Sequence, residues 1–221
     1  MFISKIVKLP VSDFGMPKFE IKIRWILIAI LLPCIIKGIY VLIFNGEYVS
    51  SNMNGNEMFN TLSAGVAFTG IAAGFVEEMV FRGVILNALK KRWNMKVAVI
   101  VPSMLFGIVH VLGQDFSIGS CLLVIIAGTM VGVMFSMIAI ESGSVWNSGI
   151  VHAIWNIVII GGGLAIGEKM DPYSVMTYVL DSKVFAITGG EFGIESSVIS
   201  LIGYIIVAGI AFIMIKSNRK N

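Results

Sequence analysis

An all-α, polytopic membrane helical bundle of about six transmembrane helices, both termini cytoplasmic, is the fold this sequence predicts, and three observations carry it. Hydrophobic residues make up 57% of the 221 positions and charged residues 13%, with a mean hydropathy of +0.93, a composition that belongs to integral membrane proteins. Apolar runs of spanning length recur along the whole chain, which leaves no room for a soluble catalytic domain. Twelve of the sixteen Lys and Arg fall in the N-terminal tail, the 90–96 turn and the C-terminal tail. Six spans put all three on one side, the positive-inside pattern.

The domain organisation follows in chain order. Residues 1–24, with Lys5, Lys8, Lys18, Lys22 and Arg24, read as a basic cytoplasmic segment lying against anionic headgroups. A single transmembrane domain covers 25–215, and 216–221 form a basic cytoplasmic tail. The first span runs from about Trp25 to Phe44 and holds Pro33 and Lys37; a lysine at that depth either snorkels or meets a partner. A polar stretch precedes a long second helix from about Thr61 to Leu89. The third span starts near Val97, with Pro102 where proline is tolerated, and ends between Leu112 and Asp115. The fourth, Gly119 to Ile140, is apolar and rich in small residues that let helices approach closely. The fifth runs from Val145 to Gly161-Gly162-Gly163. A polar loop over 165–197, with room for a short interfacial helix, leads to the sixth span at Val198 to Ile215. Trp25, Trp93 and Trp146 sit where a cytoplasmic aromatic belt belongs. Cys34 and Cys121 lie in apolar runs without metal spacing and read as packing residues.

The residues that do not fit a hydrocarbon environment are the informative ones. Glu77 and Glu78 stand side by side in the second helix, with Arg82 one turn below Glu78 in the favourable order for an ion pair. Glu77, rotated by about 100°, is left without that partner, and an unpaired carboxylate at bilayer depth marks function. At 1.5 Å per residue, Glu77 lies about 20 Å from the cytoplasmic boundary, His110 about 21 Å and His152 about 16 Å, with Asn156 one turn further. The only two histidines thus come level with the acid pair. Phe106 with His110, and His152 with Asn156, each share a helix face at a spacing of four. A carboxylate, two imidazoles and a carboxamide at one level supply a general base, a proton shuttle and donors for a developing oxyanion.

Glu77-Glu78-x-x-x-Arg82, Phe106-x-x-x-His110 and His152-x-x-x-Asn156, in that order within 74–156, resemble the three motifs of the CAAX protease and bacteriocin-processing family, also called the abortive-infection family. Its eukaryotic members are the type II CAAX prenyl endopeptidases. No motif position departs from the pattern. The resemblance implies an intramembrane endopeptidase in which Glu77 and His110 activate a water while His152 and Asn156 stabilise the oxyanion. Glu78 and Arg82 would brace the site, with Phe106 beside them as packing. The implied substrate is a peptide or membrane-anchored protein, in a multi-pass protein of a cell membrane of prokaryotic style, surrounded by lipid. The basic 90–96 turn reads as a topogenic signal and not as a nucleic-acid patch.

No cofactor is expected. A zinc version, with His110, His152 and Glu77 as a His₂Glu site, is the alternative; the metal-free form is preferred because Asn156, a poor zinc ligand, stands beside His152 as a ready donor. Two other functions compete with proteolysis. One is a non-catalytic immunity or regulatory protein that keeps the motifs for architecture. The other is a proton-coupled transporter, which the absence of inverted repeats disfavours.

Overall fold

Apolar runs of this length form helices because in hydrocarbon every backbone N–H and C=O must find its partner within the segment. The computed structural model describes residues 16–17 and 19–218 and is mostly helical. In chain order the elements are α1 (Ile23–Ile43), β1 (Gly46–Ser50), α2 (Gly55–Arg92), α3 (Met95–Val109), α4 (Ile118–Ser142) and α5 (Val145–Ile160). Then come β2 (Leu164–Gly167), β3 (Met176–Leu180), a short α6 (Phe185–Thr188), two 3₁₀ turns, and α7 (Val198–Asn218). Much of the expected basic segment 1–24, with Lys5, Lys8 and Lys18, and the tail residues 219–221 lie outside the described residues.

Four helices, α1, α2, α4 and α7, are long and apolar enough to cross a membrane. Large apolar side chains stand exposed along them, among them Leu42, Phe68, Ile118 and Ile213. With no water-soluble face to hide, such a surface is suited to lipid tails. The expected third and fifth spans are α3 and α5, of 15 and 16 residues. They reach only about 22 to 24 Å against a hydrocarbon core of about 30 Å. Each is cut short for a local reason. The α3 helix ends at His110, whose ring turns back onto the carbonyl of Phe106. The α5 helix stops at Gly161-Gly162-Gly163, where Gly162 takes a φ of +80°.

The 165–197 segment departs from the helical expectation. Strands β1, β3 and β2 form a three-stranded sheet, antiparallel between β1 and β3 and parallel between β3 and β2, with Tyr178 opposite both Tyr48 and Ile166. The sheet caps the end of the bundle away from the 92–95 turn, and the described part is therefore helical with a small β cap. The short helix expected in this loop is α6. Trp25 also departs from expectation. It is fully buried and donates its Nε1–H to Glu141 Oε2 at 3.0 Å, beside the 2.6 Å Arg24–Glu141 ion pair, so it packs inside the bundle instead of belting it. Lys37 meets partners: its ammonium donates to the carbonyl of Val158 in the last turn of α5, where orphan carbonyls and the helix dipole favour a cation, and to that of Leu164, the first residue of β2.

Two pairs of helices cross on small residues. In α4, a Cβ on Gly128 would lie 2.6 Å from the Cα of Gly107 in α3, and one on Gly132 would lie 2.8 Å from the Cα of Ser103. Along α2, Gly65 faces Gly161, the C-cap of α5, while Gly70 and Gly74 face Ile157 and Ala153 within it. The first of these steps in α2 is five residues and the second four, because α2 is a π-helix over Gly65–Ala72 and returns to α at Ala73–Glu78. A second π stretch covers Met79–Ile85. The π turns keep the small residues on the face that meets α5, and they leave Glu77 and Glu78 in the α-helical segment between them. π stretches inside α-helices often accompany functional sites.

Gly74 tests this crossing. A Cβ there would sit 2.8 Å from the amide nitrogen of Ala153, so Gly74→Val is expected to destabilise the detergent-solubilised protein by about 1–3 kcal/mol. Gly38→Ala, at a helical position with nothing within 4 Å of the added carbon, is expected to leave the thermal midpoint equal or higher.

Candidate active site

The acid pair divides as its helical positions require. Glu78 and Arg82 are 0% and 1% exposed. Arg82 Nη1 donates to Glu78 Oε1 at 2.7 Å, and Nη2 donates to the carbonyl of Gly132 in α4 at 3.0 Å. The guanidinium lies 4.6 Å from the Phe106 ring centroid and 5.2 Å from that of Phe135, within reach of cation–π attraction. Asn87 supports the same turn by donating to the carbonyls of Arg82 and Gly83 within and below the second π stretch. Glu78 also receives a second donor, the Nδ1–H of His152 at 3.2 Å. A carboxylate only accepts, so that contact fixes the proton on Nδ1 and aims Nε2 the other way.

Glu77 lies where His152 Nε2 is aimed. Its Oε2 is 3.9 Å from that nitrogen, too long for a hydrogen bond, and has no hydrogen-bond partner among the described residues. Its side chain is 34% exposed, against none for Glu78. The difference separates the two carboxylates: one is locked into packing and the other borders a cavity. Phe135 stacks on the His152 ring at 4.6 Å and 19°, holding its plane. His110, at the C-cap of α3, places Nδ1 2.6 Å from the Phe106 carbonyl, which likewise puts the proton on Nδ1 and leaves Nε2 as an acceptor. The Phe106 ring packs 4.6 Å from His110 and 5.8 Å from His152.

Glu77, Phe106, His110, His152 and Asn156 line one cavity of about 170 Å³. The sequence expectation of a common depth is therefore realised in space. Asn156 carries a further duty: its Nδ2 donates to the carbonyl of Thr69 at 2.9 Å, inside the first π stretch. One of its two N–H bonds is thus spent on holding α5 to α2, and the other remains for the cavity. Among the described residues, no group of three His, Cys, Asp or Glu side chains stands ready to hold a metal ion; the Nδ1 contacts of the two histidines leave both Nε2 atoms available to the cavity.

One lining residue was missed from the sequence. Glu195, in the 3₁₀ turn Ile194–Ser196, also borders the cavity and accepts the Nε1–H of Trp155 at 3.0 Å. In the sequence it is one of several acids in a polar loop, and only its place three residues ahead of the last apolar run sets it apart.

Residues 59–158 match the family model described as type II CAAX prenyl endopeptidase Rce1-like. Over this segment the chain is similar to the Rce1-like family of CAAX proteases. The match contains all three motifs and both π stretches, and it ends well before Glu195. Comparisons with curated proteins and with solved structures returned no match. The match to a membrane-protease family agrees with the four helices of spanning length, which suit an integral membrane protein.

The buried pair yields a stability test. Arg82→Met leaves Glu78 sealed without its cation and is expected to cost about 3–5 kcal/mol, read as a lowered midpoint in detergent. Arg82→Lys is expected to recover little, since an ammonium cannot reproduce the planar fork between Glu78 and Gly132.

Proposed function

We propose that the protein is an intramembrane endopeptidase that hydrolyses a peptide bond with a water activated by Glu77 and His110. The observation that carries the reading is the cavity in which a carboxylate oxygen with no hydrogen-bond partner among the described residues, Nε2 of His110, His152 and the remaining N–H of Asn156 meet at membrane depth. Glu77 Oε2 is the acceptor for the water's proton, and His110 Nε2 is a second acceptor that orients the same water. His152 is flanked by carboxylates on both ring nitrogens, Glu78 at 3.2 Å and Glu77 at 3.9 Å. With a proton on Nε2, His152 offers an N–H to the oxyanion that forms as the carbonyl is attacked. Asn156 is the neighbouring donor. Apolar walls from Val124, Ala127, Val131 and Phe135 lower the local dielectric and strengthen each of these interactions.

The same reading makes the chemistry metal-free, keeps both termini cytoplasmic and surrounds α1, α2, α4 and α7 with lipid. The substrate is a peptide or a membrane-anchored protein. The Lys and Arg distribution supports the orientation, and it puts the β cap on the opposite, extracytoplasmic face.

Two measurements check this. Profiling of new N-termini in the membrane proteome of cells with wild-type protein against Glu77→Gln is expected to show fragments confined to the wild type. In purified form, Glu77→Gln and His110→Ala are expected to lower cleavage by at least about 10²-fold, the usual contribution of a general base. Full activity in either variant removes the proposed roles, and identical proteomes favour a non-catalytic regulatory protein. For orientation, single cysteines at Asp171 and Lys91 in a Cys34→Ala, Cys121→Ala background should react with an impermeant thiol reagent from outside and inside respectively. The reverse pattern inverts the topology.

A further inference from the structure

Hydrolysis of an amide needs more than an activated water. The departing nitrogen is a very poor anion and must be protonated as the C–N bond breaks, while Glu77 is occupied with the proton of the water. Resting on the endopeptidase reading, we propose that Glu195 is the proton donor of the site, a second carboxyl that protonates the leaving nitrogen and is reloaded from the outer face.

Glu195 lines the inner cavity that holds Glu77, His110, His152 and Asn156. It also lines a larger outer cavity of about 620 Å³ between the β cap and the 185–195 segment. The two cavities share Ile160, Phe192 and Glu195, and Glu195 alone of these carries an ionisable group. A proton can therefore reach it from the outer side without passing the catalytic histidines.

The carboxyl is held on one side only. Oε1 accepts the Nε1–H of Trp155, the residue beside Asn156, while the other oxygen makes no hydrogen bond to the described protein. The backbone around it is fixed: Tyr204 donates to the Glu195 carbonyl at 3.0 Å, Ser200 to that of Ile194 at 2.6 Å, and Ser196 to that of Gly189 at 2.6 Å. Phe192 from the same turn meets the His110 ring at 6.1 Å. The carboxyl is thus braced against the candidate site from the loop side.

Burial pushes the Glu195 carboxyl up, and the negative charge of Glu77 adds to that, against the opposing effects of the Trp155 hydrogen bond, His110 and His152. Tyr204 is the other titratable group packed on it. Two carboxyls in one site whose environments separate them are the usual signature of an acid and a base with different tasks.

The water oxygen bonds to the carbonyl carbon and its proton passes to Glu77. The C–N bond breaks and the nitrogen takes the proton of Glu195. The products are a carboxylic acid and an amine; Glu77 then releases its proton to solvent and Glu195 takes one from the outer cavity, so one water is consumed in all.

The test compares leaving groups. A synthetic peptide spanning a cleavage site found by the proteome comparison is made as the amide and as a thioester at the scissile bond, whose thiolate departs without a proton. Glu195→Gln keeps an oxygen for the Trp155 N–H and loses the acid. It is expected to cut amide cleavage by about 10²–10⁴-fold, to leave thioester cleavage within about 3-fold, and to flatten the fall in rate towards high pH. Glu77→Gln is expected to lose both substrates. Equal loss on both substrates in Glu195→Gln, or no loss on either, overturns the donor role. Failure of the wild type on both substrates removes the endopeptidase reading and this inference with it.

Discussion

The Arg82 guanidinium constrains the bundle more than any other group. A cation with 1% exposure requires compensation from every direction, because its desolvation cost is several kcal/mol and falls only where partners are well placed. Glu78 comes from the same helix, the Gly132 carbonyl from α4, and the Phe106 and Phe135 faces from α3 and α4. Through Glu78 the network reaches His152 on α5. One charge therefore fixes the mutual position of four helices, and the three motifs meet because each contributes to satisfying it. The candidate site inherits its precision from this buried pair.

The π stretches of α2 do the complementary work on the backbone. A uniform α-helix would rotate Gly65, Gly70 and Gly74 away from one another, and α2 and α5 would not approach on glycine. The widened turn restores the alignment and places the Thr69 carbonyl where Asn156 can bind it. Helix contact, the direction of Asn156 and the exposure of Glu77 are in this way one geometric solution. The close approach of the backbones also replaces the hydrophobic driving force that is missing between helices in lipid.

The outer cap completes the cavity from the other side. The sheet and the 185–197 segment cover the ends of α3 and α5, the two helices too short to span, and so close a space that would otherwise open where those helices stop. Phe192 and Glu195 descend from this cap onto His110 and Trp155. Helices deliver four polar groups at depth, and a loop supplies the fifth.

The sequence by itself determined the helices, their order, the common depth of Glu77, His110, His152 and Asn156, and the pairing of Glu78 with Arg82. These follow from hydropathy and from a helical repeat of 3.6 residues, both of which are properties of neighbours along the chain. Tertiary structure alone decided the rest. The sheet joins strands more than a hundred residues apart, Trp25 turns inward to a glutamate on α4, and Asn156 gives one N–H to a carbonyl freed by a π turn. Glu195 comes to line the cavity only when the loop folds back. Such contacts are set by long-range packing and by the need of every buried polar group for a partner, which no periodicity encodes.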